Sequence, residues 1–190
     1  MILVTNHIGS LEVPLLFAHL QPRPMTGFAK IETWDDPFMG WLFTLWGAIP
    51  IRRGEADMDA LHRAFDALKG DYILAIAPEG TRSWDGRLRR AHPGVVTIAL
   101  RSGAPIFPIA HWGGENFGRN LKQLKRTDFH IRAGKPFYLN NDGTKVTHEI
   151  RQQMADEIMY QIAMLMPEEY RGNYPSMEAK TEKYLRFTRV

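Results

Sequence analysis

Cysteine is absent from this 190-residue chain, which excludes disulfides, thiolate metal sites and a cysteine nucleophile. No uncharged stretch is long enough to cross a bilayer. The longest, between Asp36 and Arg52, holds fifteen residues, and as a helix it covers about 22 Å against a hydrocarbon core of roughly 30 Å. The N-terminus has neither a charged leader region nor a cleavage site; residues 1–5 read as a strand that opens the chain directly inside its core. Repeats, low-complexity tracts and Gly/Ser- or Pro-rich linkers are also missing, so nothing marks a second domain. Gly-x-Ser-x-Gly, His-Glu-x-x-His and a phosphate loop do not occur, which sets aside serine hydrolases, zinc peptidases and nucleotide enzymes. Excess charge is small as well: Lys and Arg number 24 against 21 Asp and Glu, a formal net charge of +3. That favours an anionic partner only mildly, and does not separate phospholipid from nucleic acid.

What is present is an ordinary globular composition, 44% hydrophobic and 24% charged, sufficient for one domain with a sizeable core. Strand and helix patterns alternate. A strand over 2–5 precedes a helix that Ser10 can cap and that carries Leu11, Leu15, Leu16 and Leu20. A second strand, 25–29, leads to Asp35-Asp36-Pro37, a helix start. The residues that follow, from Phe38 to Trp46, are bulky and apolar on nearly every side. This helix reads in two ways: a core helix buried all round, or an interfacial element whose Trp34, Phe38, Trp41 and Trp46 enter a headgroup layer. A short strand then ends at Arg52 and Arg53, and an amphipathic helix follows with Met58, Leu61, Phe65 and Leu68 on one stripe and Gly70 at its end. After a strand over 72–77, Pro93 starts a helix through Val95, Val96, Ile98 and Leu100 that Gly103 ends. The strand 105–110 contains two prolines, which suit an edge or a strand start better than a central ladder. Ile150, Met154, Ile158, Ile162 and Leu165 form a helical stripe of core character, and Tyr184 and Phe187 sit in a polar tail that either docks or stays loose.

Three stretches carry chemistry. In Asn6-His7-Ile8-Gly9-Ser10-Leu11-Glu12 a histidine that titrates near neutral pH stands five residues before a carboxylate. On one regular helix the two would lie about 140° apart, so they meet only if the chain turns, and Gly9-Ser10 supplies a turn. A carboxylate on one ring nitrogen sets the tautomer and stabilises the imidazolium; taken alone, the same residues also read as a strand end beside a helix opener. Arg52 and Arg53 can clamp a phosphate or be a solvated pair. Pro78-Glu79-Gly80-Thr81-Arg82-Ser83 sets a carboxylate, a glycine, a hydroxyl and a guanidinium in succession at a strand end. It can bind a phosphate and orient a polyol, or be a surface turn with a weak ion pair.

Together with residues 47–53 and 105–109, these blocks occur in the order found in the glycerolipid acyltransferase family, the lysophospholipid or 1-acylglycerol-3-phosphate acyltransferases, which the chain resembles over roughly residues 4–112. Phe129 to Phe137 also resembles the strand and Gly-x-Pro turn that close the family's domain. The resemblance implies a single α/β domain, with a mostly parallel or mixed central sheet flanked by helices, over residues 1–170, followed by a polar tail, 171–190. It implies acyl transfer from an acyl thioester, acyl-CoA or acyl-carrier protein, to a hydroxyl of a lysophospholipid. His7 would be the general base, oriented by Glu12. Arg53, Glu79, Gly80, Thr81 and Arg82 would hold the acceptor's phosphate and glycerol hydroxyls; Arg52 has no clear match. No cofactor and no metal are needed for thioester chemistry.

Two departures stand out. The family has aspartate where this chain has Glu12, whose extra methylene lengthens the arm by about 1.5 Å, and the chain starts only a few residues before the histidine, where family members carry a helical membrane element. The aromatic helix then becomes the leading contact in a protein expected to be cytoplasmic and peripheral at the membrane, helped by Arg87, Arg89, Arg90, Lys122, Lys125 and Arg126. Nucleic acid is not an expected partner, because the aromatics cluster on an uncharged helix and not on a basic platform. The alternatives are another lipid acceptor, a glycolipid or an aminolipid, and a catalytically weak lipid-binding protein on the same fold.

Overall fold

Alternating burial along the strands decides the layering. In β1 (Ile2–Thr5), Ile2 and Val4 point into one apolar cluster and Leu3 into another, the period-two pattern of a strand covered on both faces. The structure, a computed structural model, describes residues 1–9, 11–20, 22–54 and 57–187. The cap expected from Ser10 lies outside them. The remaining strands are β2 (Met25–Lys30), β3 (Ile49–Ile51), β4 (Ile73–Ile76), β5 (Ile106–Trp112), β6 (His130–Ala133), β7 (Phe137–Leu139) and β8 (Leu185–Phe187). The helices are α1 (Glu12–Leu20), α2 (Pro37–Leu45), α3 (Met58–Lys69), α4 (Gly94–Ser102), α5 (Phe117–Lys122) and α6 (His148–Ala163).

The sheet has eight strands in the order β3-β2-β4-β1-β5-β7-β8, with β6 also paired to β5. Strands β3, β2, β4, β1 and β5 are parallel, and β6, β7 and β8 add antiparallel pairs. This is the expected single α/β domain with a mixed sheet. Parallel strands need crossovers on the faces: α3, α4 and α6 cover the face of Ile2 and Val4, while α1 covers that of Leu3 through Leu16. The tail docks, since β8 pairs with β7 and buries Tyr184 and Leu185. Glu157 of α6 anchors it, its carboxylate accepting from Thr181 Oγ1 at 2.6 Å and from the N–H groups of Lys183 and Tyr184 at 3.0 Å.

Two expectations are corrected. The proline-bearing strand is not an edge: Pro105 does stand at its start, but Pro108 lies inside β5, which sits between β1 on one side and β6 and β7 on the other. Pro108 is tolerated because its carbonyl accepts from Gly134 N–H at 2.8 Å on the β6 side. Its missing N–H falls on that same side, where β5 changes partner between Phe137, opposite Ile106, and Ala133, opposite Ile109. The aromatic helix is not a core helix buried all round. α2 buries only Gly40, and Phe38, Trp41 and Leu45 are each more than 60% exposed. Asp36 starts it as read, accepting from Met39 N–H at 2.9 Å, with Pro37 in the first turn.

Candidate active site

In a parallel sheet all strand C-termini emerge at one edge, where ligand sites form. Here β1 ends there at Asn6-His7, β4 at the loop beginning Ala77-Pro78-Glu79, and β5 at His111-Trp112. Asn6 binds the β1 end to β5 with three hydrogen bonds: its Nδ2 donates to His111 O (2.8 Å), His111 N–H donates to its Oδ1 (2.9 Å), and His111 Nε2 donates to its carbonyl (2.7 Å). Burial pushes the His111 imidazole below its ordinary pKa, which keeps the ring neutral, and its Nδ1 has no hydrogen-bond partner among the described residues.

His7 and Glu12 meet. The chain turns at Gly9, Glu12 opens α1, and His7 Nδ1 is hydrogen-bonded to Glu12 Oε1. Gly9 N–H also donates to both carboxylate oxygens, at 3.1 and 3.2 Å, so the longer glutamate arm is accommodated by the turn. Burial opposes ionisation of Glu12, but the hydrogen bond and charge of His7 outweigh it and hold the carboxyl below its ordinary range. With Nδ1 taken by the carboxylate, Nε2 is the ring nitrogen left to handle a proton.

Glu79 supports the histidine through the backbone. Its Oε1 accepts from His7 N–H and its Oε2 from Arg89 N–H, both at 2.7 Å, and the residue is 2% exposed. Burial pushes its carboxyl up to about 7 although those N–H groups pull it down. The loop is then pinned to the His7 segment by Ser83 N–H to His7 O (2.8 Å) and Trp84 N–H to Ile8 O (3.0 Å). Gly80 has φ +68°, and a Cβ there would meet His92 at 2.9 Å, so only glycine passes the loop over that ring.

A cavity of about 300 Å³ opens beside His7. His7, Glu12, Arg53 and Gly80 line it with His92, and its walls are mostly apolar, with Leu16, Phe17, Phe28, Phe43 and Trp46 among them. Phe17 stacks on Trp46 with ring centroids 5.1 Å apart. Arg53 stands in the turn after β3, which Asp57 fixes by accepting from Arg52 N–H (2.9 Å) while capping α3 at Ala60 N–H (3.0 Å). Thr81 and Arg82 are exposed on the loop and do not line the cavity. The Arg82 guanidinium lies over the Trp84 ring, 5.3 Å from its centroid. Glu79 does not line the cavity either.

Sequence reading missed His111 and Trp84, and took Arg89 only for a membrane-facing cation, not for a partner of Glu79 and Asp85. Arg89 sits ten residues from Glu79 and His111 sits 105 from Asn6; no spacing rule links them. Trp84 alone left a signal, a tryptophan next to a motif loop.

The chain matches the model of the family described as Acyltransferase over residues 1–112. It is 28% identical over 159 residues to the chloroplastic 1-acyl-sn-glycerol-3-phosphate acyltransferase of Brassica napus, covering 82% of this chain and 45% of that protein. It is 34% identical over 111 residues to the lyso-ornithine lipid O-acyltransferase of Pseudomonas aeruginosa, covering 58% of this chain and 42% of that protein. The chain thus spans less than half the length of these curated relatives. Its fold is similar to the crystal structure of the 1-acyl-sn-glycerophosphate acyltransferase PlsC from Thermotoga maritima, with TM-score 0.60, 22% identity, and coverage of 83% of this chain and 62% of that one.

Proposed function

This chain belongs to the acyltransferase family, and we propose that it moves a fatty acyl group from an acyl thioester, acyl-CoA or acyl-carrier protein, to a hydroxyl of a lysophospholipid such as 1-acylglycerol-3-phosphate. The observation that carries the reading is the His7–Glu12 pair at the wall of an apolar cavity. His7 Nε2 takes the proton of the acceptor hydroxyl, and the freed oxygen attacks the thioester carbonyl. The tetrahedral oxyanion collapses, the C–S bond breaks, and the thiolate leaves with the proton from the imidazolium. Glu12 holds the ring in the required tautomer and balances its charge. No acyl-enzyme forms, and no cofactor is called for.

Arg53 and the Gly80-Thr81-Arg82 turn hold the acceptor's phosphate and glycerol hydroxyls, while Glu79 contributes by fixing that turn to the His7 backbone. The apolar cavity takes a lipid chain. Among the described residues no helix is long and apolar enough to cross a membrane, and the exposed Phe38, Trp41 and Leu45 of α2 fit a peripheral contact with the cytoplasmic membrane face, their rings and side chains entering the headgroup region.

A second acceptor has its own support. The relative from Pseudomonas aeruginosa is named a lyso-ornithine lipid O-acyltransferase, which makes an aminolipid the competing acceptor. Incubating the full chain with acyl-CoA or acyl-carrier protein and a panel of lysolipids decides between them. Acylated product is expected, with turnover reduced by about 10²–10⁴ in His7→Ala and a raised KM for a phosphate-bearing acceptor in Arg53→Ala. A wild-type rate equal to that of His7→Ala with every donor removes the enzyme reading in favour of a lipid-binding protein. A preference for lyso-ornithine lipid that Arg53→Ala leaves untouched moves the acceptor to the aminolipid class.

A further inference from the structure

The connection from β5 to β6 leaves the sheet at the His7 edge. His111 at its start is tied to Asn6, and Phe129 at its end stacks on the His111 ring with centroids 5.5 Å apart. Between them α5 ends in an unusual way. Lys125 N–H reaches Asn120 O at 2.8 Å and Leu124 N–H reaches Leu121 O at 3.1 Å, the paired bonds of a Schellman cap. The left-handed position of that cap ordinarily takes glycine, because a Cβ there crowds the backbone. Here it is Leu124, with φ 53°. Its side chain packs on almost nothing: Leu124 is 94% exposed and Leu121 58%. A leucine held in a strained conformation and pointed into solvent contributes nothing to folding, and such outliers point to function.

Its neighbours Lys122, Lys125 and Arg126 are exposed too. Arg126 lies 3.9 Å from Asp128, with both side chains more than 80% exposed, an ion pair too solvated to neutralise the patch. Two protruding leucines set among cations match the chemistry of an anionic bilayer. A fluid headgroup layer conforms to a convex knuckle, apolar tips enter it, and cations gather on its phosphates. The turn also stands opposite α2 in the sheet order: α2 follows β2, α5 follows β5, and β4 and β1 lie between.

We propose that the α5 turn is a second, electrostatic membrane contact, with Leu121 and Leu124 entering an anionic lipid surface and Lys122, Lys125 and Arg126 engaging its phosphates. The reason for such a contact rests on the lipid-acceptor reading; its readout does not. The test is co-sedimentation of the full chain with phosphatidylcholine vesicles, with and without phosphatidylglycerol. Binding is expected to be tighter with phosphatidylglycerol. The charge reversal Lys122→Glu/Lys125→Glu/Arg126→Glu should weaken it at least about tenfold, and added salt should weaken wild type more than this variant. Leu124→Gly relieves the strained backbone, so it should bind several-fold less tightly with a thermal midpoint no lower than wild type. The proposal is overturned if phosphatidylglycerol makes no difference, or if the charge reversal binds like wild type. It is equally overturned if both variants bind vesicles normally but lose turnover with an acyl-carrier-protein donor, which assigns the turn to a protein partner. Vesicle binding needs no acyl transfer, so a wild type that binds as described without transferring acyl groups sinks the proposed activity and leaves this contact standing.

Discussion

α2 has no charged residue, whereas α6 reads His-Glu-Ile-Arg-Gln-Gln at its start and carries Asp156 and Glu157 further on. Yet α2 buries one residue, Gly40, and α6 buries eight, Glu157 and Gln161 among them. The difference lies in what each helix meets. α6 packs against β5 and α4 over the widest apolar face of the sheet, and its polar residues are buried because they have partners: Gln161 donates to Glu182 at 3.1 Å and Glu157 holds the tail. α2 and the residue that follows it turn Phe43 and Trp46 towards the cavity and leave Phe38, Trp41 and Leu45 mostly exposed. Apolar surface beyond what the fold uses is available for something outside it.

Substitution in the two helices gives the largest contrast. Ile158→Ala in α6, at a site that is fully buried, is expected to cost about 2–5 kcal/mol by chemical denaturation. A smaller loss means that α6 relaxes around the gap and the contrast with α2 is weaker than its burial suggests. The next effect is set by pH. The Glu79 carboxyl is raised from 4.5 to about 7, so the folded state binds a proton more tightly than the unfolded chain. Its contribution is fully present below about 4.5 and is lost as pH rises through about 7, by at most about 3 kcal/mol. Glu79→Gln should flatten that slope in unfolding curves taken across the range. α2 carries no titratable side chain, so its binding to neutral vesicles should not follow the same pH curve, and a parallel change breaks the separation. Glu157→Ala, which strips partners from Thr181, Lys183 and Tyr184, should cost about 1–3 kcal/mol and raise hydrogen exchange in β8 first. The smallest effect on stability belongs to Trp41→Ala, within about 0.5 kcal/mol, while its partition onto vesicles falls several-fold.

Much of the fold was legible because periodicity and punctuation agreed. β1 and β4 read as short apolar runs, Asp36-Pro37 opened α2, and Gly103, at φ +63°, closed α4. The fate of α2 was not legible, since a helix apolar on all sides reads alike whether it meets protein or lipid. Pro108 misled because proline is a poor ladder residue in general, and only the partner change between β6 and β7 shows where its missing N–H is harmless. In the site, His7, Glu12, Arg53 and Gly80 were read from motif order, and all four line one cavity. Nothing in the spacing told that Glu79 would spend both oxygens on backbone N–H groups, or that Asn6 would be bound to a histidine 105 residues away. Such pairs are set by the crossovers, which local pattern does not encode.

The place of β1 in the sheet has a consequence for the order of folding. Its neighbours β4 and β5 both lie far downstream, so one edge of β1 stays unpaired on the ribosome until residues up to 76 have been synthesised and the other until residues up to 109. His7 and Glu12 are only five residues apart, yet the Glu79 and His111 contacts that set the histidine's backbone come from those late strands. A nascent chain therefore displays its acid–base pair long before it can hold that pair in place, and exposes first two and then one naked strand edge in the interval, the period when it most needs a chaperone.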